Sequence, residues 1–433
     1  MKNSFIFTLG GGDRFHIEGA TPVNINDPRE FQYTFWHPSA TELGKKQMYV
    51  TPHRFTDEAL DLFYISLMVY CVDKRVSRKA QDDAWTRNLE LYIPVKMEEK
   101  WNACKDTLTQ ALNFLTGDHW TLHFRSRTPL TRDEERYLKG RRHFRNSTKR
   151  IDTDTYCMLS GGLDSFVGAI NLLCEGKKPI FVSHYGGGKG VKNFQDRVVR
   201  SLAAHYNVNQ NRFFRFYAAS SKGVEDSTRS RSLMFFAHAI TLASGMGHHV
   251  DLYIPENGVI SLNIPLTVMR IGSLSTRTTH PYFMGLLQKL LSNLGMDISL
   301  INPYQLKTKG DMMKECKDKE FLNSHYQYTL SCSHPDQGRW KGEAAGHCGE
   351  CLPCTIRRAA INAAGLTDIS RYRHHYETPS GKEALKSYQL GLLTPKDGYA
   401  AIQMSGPIRE RLDAYVRLYE EGIKELKDFI DTL

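Results

Sequence analysis

SGGLDS, from Ser160 to Ser165, is a segment whose residue types suit an anion. It follows an apolar run, Tyr156-Cys157-Met158-Leu159, and precedes a helical pattern that begins near Asp164. Gly161 and Gly162 let the backbone approach a ligand closely, and Ser160 and Ser165 offer hydroxyls. A helix N-terminus adds unpaired N–H groups and partial positive charge. Ser160, Gly161, Gly162, Leu163, Asp164 and Ser165 therefore read as a phosphate cradle. Asp164 would repel a bare phosphate, so its place there points to Mg2+ bridging phosphate oxygens. The plain alternative is a helix N-cap on a tight turn. Neither G-x-x-x-x-G-K-[ST] nor a strand-linked G-x-G-x-x-G occurs, which disfavours a Walker-type ATPase and a dinucleotide fold.

Cys348, Cys351 and Cys354 form C-x2-C-x2-C in HCGECLPCTIRR, and Cys332 stands upstream. Four thiolates suit a tetrahedral structural Zn2+. A four-cysteine iron–sulfur cluster is the alternative, and His334 or His347 could take the place of Cys332. The other five cysteines, 71, 104, 157, 174 and 316, sit in apolar patterns and read as core.

Further candidates stand near strand ends. Arg229 and Arg231, in STRSRSLMFF, open a helical pattern. Cations there oppose the helix dipole, so ATP phosphates or an acidic substrate would explain them, with plain exposure as the alternative. Glu256 and Asn257, in PENG after VDLYI, suit the edge of a purine-like substrate, since carboxylates accept from N–H donors and amides do both. A simple turn competes with that reading. His184 and Tyr185 close the second strand, and Lys307, Thr308 and Lys309 follow the last one. Arg270, Arg277 and His280 lie in a polar loop that either closes over substrate or stays at the surface.

The elements that must position these residues begin near residue 155. Apolar strands alternate there with helical patterns, which implies an α/β fold: a parallel sheet with helices on both faces. Residues 1–131 read as an N-terminal α/β domain, with strands at Phe5–Thr8, 89–95 and 120–124 and helices over 57–72 and 97–115. The GGGD at 10–13 lacks a following helix and reads as a hairpin turn. Residues 132–154 read as a basic linker: eight basic against three acidic residues between Arg132 and Arg150 leave +5. Residues 376–433 read as a helical C-terminal extension with a long helix over 407–432.

Composition sets the outer limits. The chain has 433 residues, 41% hydrophobic and 24% charged, which excludes a disordered or fibrous protein. A net charge of +10 fits an anionic partner. The N-terminal apolar stretch is too short for a signal peptide. The most apolar helical run, 233–245, is shorter than the ~18 residues a membrane span needs. A cytoplasmic protein with no membrane partner is expected, and there clustered cysteines suggest metal before disulfides.

SGGxDS after the first strand of an α/β run resembles the pyrophosphatase loop of ATP-dependent ligases that release AMP and pyrophosphate. With Cys332, the C-G-x-C-x-x-C cluster and the following Arg357, the chain is similar to the 7-cyano-7-deazaguanine synthase (QueC) family. The resemblance covers 155–375 and implies an adenine-nucleotide alpha-hydrolase-like fold with a zinc lobe. It implies that the four cysteines bind Zn2+ and that Ser160–Ser165, His184 and Arg231 hold ATP and Mg2+. Asp164, Ser165 and Lys309 would serve the reaction, Lys309 as the phosphate-side lysine, while Arg229, Glu256 and Asn257 would face a deazapurine substrate. The implied reaction adenylates 7-carboxy-7-deazaguanine and aminates it, to the amide and then the nitrile. The gap from Cys332 to Cys348 is longer than the family's, an insertion around GRWKGEAA.

The flanking segments are foreign to the stand-alone synthase. Long chains of this kind resemble the QueC-like component of Qat-type anti-phage defence operons, which implies an operon partner protein as complex member or amine acceptor. A nucleic-acid-modifying enzyme of the same loop family, as in tRNA thiolation, is a less favoured reading. A non-catalytic ATP-binding scaffold is another.

Overall fold

A computed structural model describes residues 2–10, 12–35, 41–42, 45–46, 51–127, 129–143, 150–185, 189–227, 229–264, 277–393 and 397–433. The N-terminal part runs β1 (Lys2–Thr8), β2 (Thr21–Asn24), β3 (Phe31–Tyr33), the short pair β4 (Thr41–Glu42) and β5 (Lys45–Lys46), α1 (Asp57–Arg75), β6 (Asn88–Val95), α2 (Glu98–Thr116), β7 (His119–Ser126) and α3 (Arg132–His143). Four of these strands form an all-parallel sheet in the order β2-β1-β6-β7. The hairpin expected at GGGD is therefore absent: β1 is followed by a parallel neighbour, which needs a crossover. Gly11 itself lies outside the described residues.

The second sheet is built from β8 (Thr155–Met158), α4 (Leu163–Cys174), β9 (Ile180–Tyr185), α5 (Lys189–His205), β10 (Phe213–Ser220), α6 (Arg231–Ser244), β11 (Val250–Tyr253), α7 (Gly258–Leu262), α8 (Pro281–Asn293) and β12 (Ile298–Ile301). Its order is β12-β11-β8-β9-β10-β3. Five strands are parallel, as expected, and β3 closes the edge antiparallel to β10. The chain runs β8-β9-β10 in one direction and then crosses to β11 and β12. The order thus reverses between β8 and β11, the place where open α/β sheets bind ligands.

One apolar core joins the two sheets, with Phe7, Leu91, Phe214 and Leu252 among its members. α1 lies at its centre, packed on α6 and touching β6 and β10. Every residue from Ala59 to Asp73 is buried, as a helix apolar on all sides requires. Thr56 caps it, accepting from the Ala59 N–H at 3.3 Å.

The chain then continues through α9 (Lys309–Lys314), α10 (Lys319–His325), α11 (Leu352–Ala363), α12 (Pro379–Leu393), α13 (Gly398–Ser405) and α14 (Leu412–Ile430). The helix expected over 407–432 begins only at Leu412, because Arg411 sits at φ 54° in the left-handed region. No helix among the described residues is long and apolar enough to cross a membrane.

The basic stretch at 132–150 is partly spent on the fold. Arg141 donates to the carbonyls of Thr51, Pro52 and His53 at 2.8–3.2 Å. Its acids are also engaged: Glu134 pairs with Arg127 at 3.0 Å and Asp133 accepts from the Tyr33 hydroxyl at 2.8 Å. Arg132, Arg136, Lys139 and Arg142 are exposed, while Arg145 and Lys149 lie outside the described residues.

Candidate active site

The loop from Ser160 to Ser165 occupies the carboxyl end of β8 and turns directly into α4. One glycine is required by its shape. Gly161 has φ 87°, and a Cβ there would meet Gln195 Cγ at 2.9 Å. Gly162 is the N-cap, with its N–H donating to Ser160 Oγ at 3.2 Å. Ser160 and Ser165 stand Oγ to Oγ at 3.1 Å, so both hydroxyls face one point. Gln195, on α5, locks the loop from below by donating to the carbonyls of Ser160 (3.1 Å) and His184 (2.9 Å).

Asp164 is buried at the start of α4, where three elements converge on it. Its Oδ2 accepts from the backbone N–H of Asn257 at 3.1 Å and from Asn257 Nδ2 at 2.7 Å. Its Oδ1 pairs with Lys309 Nζ, and Glu256 adds a hydrogen bond. Burial alone would raise the Asp164 pKa, but the Lys309 charge and these hydrogen bonds outweigh it and hold the carboxyl well below its ordinary range. Glu256 moves the other way: burial and the Asp164 charge raise its pKa well above the ordinary carboxylate range, against the pull of Lys309. The two carboxyls thus have their proton affinities pushed apart beside one ammonium group.

Above this group opens a cavity of about 200 Å³, lined by Ser160, Gly162, Asp164, Ser165, Glu256 and Lys309, with Leu330, Ser331, Pro353 and Ile356 across from them. SGGLDS, Glu256 and Lys309, separated by up to 150 residues of sequence, thus meet at one mouth.

Other expected residues take different places. Asn257 is fully buried, and both its polar groups serve the protein: Nδ2 holds Asp164 and Oδ1 accepts from the Ile260 N–H at 3.0 Å. That leaves it no free edge for a purine, because capping α7 and clamping Asp164 use its donors and acceptor. The His184 ring does not line the cavity. It packs on Phe235 at 4.2 Å, and burial, with the charges nearby, drives its pKa down to about 2, so it is neutral. Arg231 is exposed over the Phe235 ring at 5.5 Å, and Arg229 lies over Trp85 at 4.5 Å, both outside the cavity lining. Arg270 lies outside the described residues.

The four cysteines come together. Sγ of Cys332, Cys348, Cys351 and Cys354 all lie within 4.8 Å of one another, with 3.9 Å from Cys332 to Cys351 and 4.0 Å from Cys348 to Cys354. Tetrahedral Zn–S bonds of about 2.3 Å put sulfurs about 3.8 Å apart, so the cage fits that ion. Backbone N–H groups of His334, Cys348 and Cys351 donate to the sulfurs at 3.3 Å, as thiolates favour. His347 is not a ligand but stands behind the cage, with Nδ1 at 3.9 Å from Cys354 Sγ and Nε2 donating to the Thr329 carbonyl at 3.1 Å.

The cysteine lobe also forms one wall of the cavity. Ser331 adjoins Cys332, Pro353 adjoins Cys354, and the Leu330 N–H donates to the Gly161 carbonyl at 2.9 Å. Arg357, fully buried, fixes this segment by donating to Thr329 Oγ1 (2.7 Å) and the Tyr326 carbonyl (2.8 Å). Gln195 and Leu330 carry no sequence signal, since one sits inside a helix and the other acts through its backbone.

A reversing parallel sheet, a glycine-rich loop at its first strand and an adjoining four-cysteine cage define an α/β protein with a cleft and a lobe whose cysteines could hold a metal ion. Residues 279–365, which include Lys309 and all four cysteines, match the family described as "Queuosine biosynthesis protein QueC". The chain is also 21% identical over 252 residues to "7-cyano-7-deazaguanine synthase" from two strains of Leptospira interrogans, serovars copenhageni and Lai. Those matches cover 53% of this chain and 95% of each relative. These likenesses support the QueC family.

Proposed function

We propose that the protein is an ATP-dependent ligase that adenylates the carboxylate of a 7-deazaguanine and joins the acyl group to an amine. The observation that carries this reading is the Asp164–Lys309–Glu256 group beneath the paired hydroxyls of Ser160 and Ser165. In the first step a carboxylate oxygen attacks the α-phosphorus of ATP, the bond to the β-phosphate oxygen breaks, and pyrophosphate leaves. An amine then attacks the acyl carbon, loses a proton, and AMP departs with the bonding pair.

The chain's residues supply position and charge. The first N–H groups of α4 and the two hydroxyls hold phosphate oxygens. Lys309 neutralises charge that builds on the leaving group. Asp164 and Glu256 are the carboxyls that would hold Mg2+, which would screen the phosphate charge. The thiolate cage would hold Zn2+ as a structural ion that keeps Leu330 and Ser331 against the loop.

The amine is ammonia or an amine of an operon partner protein. The resemblance of the long chain to Qat-type components supports an anti-phage setting. Incubation of the pure protein with ATP, Mg2+, 7-carboxy-7-deazaguanine and ammonia, with and without the operon partner, tests the reading. AMP, pyrophosphate and an amide, nitrile or mass-shifted partner are expected. Absence of all of them in every combination would overturn it.

A further inference from the structure

Four guanidinium groups gather beside the N-termini of α6 and α8, and the carboxylates among them are fully used by two. Asp118 Oδ1 accepts from Arg78 Nη1 (2.9 Å), Arg87 Nε (3.0 Å) and the Arg87 backbone (3.1 Å). Its Oδ2 accepts from Arg78 Nη2 (2.8 Å) and Arg87 Nη2 (2.6 Å). Asp73 gives Oδ1 to Arg87 at 2.6 Å and Oδ2 to the backbone and hydroxyl of Ser230 at 2.9 and 2.7 Å. Nothing is left for Arg229.

Arg229 is nonetheless held firmly. Ser230 next to it is anchored on Asp73, and the guanidinium lies 4.5 Å above the Trp85 ring. It is only 9% exposed, its Nε has no hydrogen-bond partner, and among the described residues no acid pairs with it. Burial, then the charges of Arg78 and Arg277, bring its pKa down to about 10, against the more weakly opposing charges of Asp118 and Asp73. Arg277, too, has no acid paired with it among the described residues. It lies 4.5 Å over Phe114 and spends one N–H on the Phe114 carbonyl at 3.1 Å. A buried guanidinium that no carboxylate contacts directly, held rigidly beside other cations, suits an anion that supplies the missing contact.

We infer that Arg229 and Arg277, seated on Trp85 and Phe114, form a second anion site that takes a carboxylate or phosphate group, separate from the cavity at Ser160–Ser165. Helix α6 follows β10 and α8 follows β11, so both arginines face the carboxyl rim that also carries the loop. From Thr279, two residues after Arg277, hydrogen bonds run to the loop: Thr279 Oγ1 meets Ser261 Oγ at 2.9 Å, Ser261 donates to the Asn257 carbonyl at 2.9 Å, and Asn257 clamps Asp164. The site is independent of the adenylation reading, since it uses none of the cavity residues.

Calorimetric titration tests it, with the loop first filled by α,β-methylene-ATP. That first titration shows on its own whether the nucleotide site works. Inorganic phosphate and acetate are then titrated separately, which distinguishes the two anion sources. At least one is expected to bind one per chain, about tenfold more weakly in Arg229→Gln, with nucleotide binding unchanged. Arg277→Gln, at a half-buried position, is expected to weaken the same anion and keeps the test open if Arg229→Gln misfolds. Binding of neither anion to the wild-type protein, or equal binding by wild type and both variants, would overturn the inference.

Discussion

Glu425 and Thr308 stand 117 residues apart, and the Glu425 carboxylate accepts the Thr308 hydroxyl at 2.6 Å. The same carboxylate accepts from the Gly310 N–H at 3.2 Å, so α14 grips the turn that presents Lys309 from both sides. Burial raises the Glu425 pKa, partly offset by the Thr308 and Gly310 hydrogen bonds. Glu425→Gln keeps an acceptor oxygen and is expected to stay close to wild type. Glu425→Ala strands both donors and is expected to cost about 1–3 kcal/mol of stability and to lower pyrophosphate release. Thermal unfolding and a pyrophosphate assay read the two effects.

Lys309 contacts Asp164, and its charge also acts on Glu256. Lys309→Ala removes the only cation in contact with Asp164 among the described residues. Its loss is expected to lower adenylation about 100-fold at saturating ATP, the scale set by removing one preorganised electrostatic group. Pyrophosphate release measures this, and Lys307→Ala is the control, because Lys307 pairs with Glu315 at the surface.

Gly161→Ala meets two obstacles, a φ of 87° and Gln195 Cγ at 2.9 Å. Gly176→Ala at φ 75° meets only the first, with open space around the new methyl. Both are expected to lose about 1–2 kcal/mol from backbone strain. Only Gly161→Ala should also weaken ATP binding, since the Gln195 clamp must shift. Parallel measurements of melting temperature and ATP affinity separate the two.

Metal analysis is expected to find one zinc per chain, with no visible absorption of an iron–sulfur chromophore. Cys348→Ser or a strong chelator should remove it. Because Leu330 bonds the Gly161 carbonyl, loss of the ion is expected to reduce ATP affinity as well as melting temperature. A cage that served only the distant fold would change the second and leave the first.

Much of this site is legible in the sequence because its parts are local. SGGLDS is a contiguous turn, and C-x2-C-x2-C places three sulfurs within one turn and the start of α11. The parallel sheet follows from apolar strands alternating with helices. The tertiary clamps are not legible. Gln195, Leu330 and Glu425 act across long sequence separations, and none stands in a pattern that marks it. Asn257 misleads for a related reason: after a strand an amide suits a ligand as well as a cap, and only the fold shows its groups already taken. The parallel pairing of β1 with β2 is hidden too, since three glycines after a strand suit a hairpin equally.

The edge strand β3 has a consequence for synthesis. Tyr33 pairs with Ala218 and Phe31 with Ser220, so 187 residues separate the end of β3 from the last residue it pairs. At ribosomal rates of about 5–20 residues per second, β3 waits roughly 10–40 s with its backbone groups unmatched. During that interval a nascent chain exposes Phe31, a residue 1% exposed in the finished protein, next to an open edge. Production in the cell is thus sensitive to whatever shields β3 until β10 emerges to pair with it.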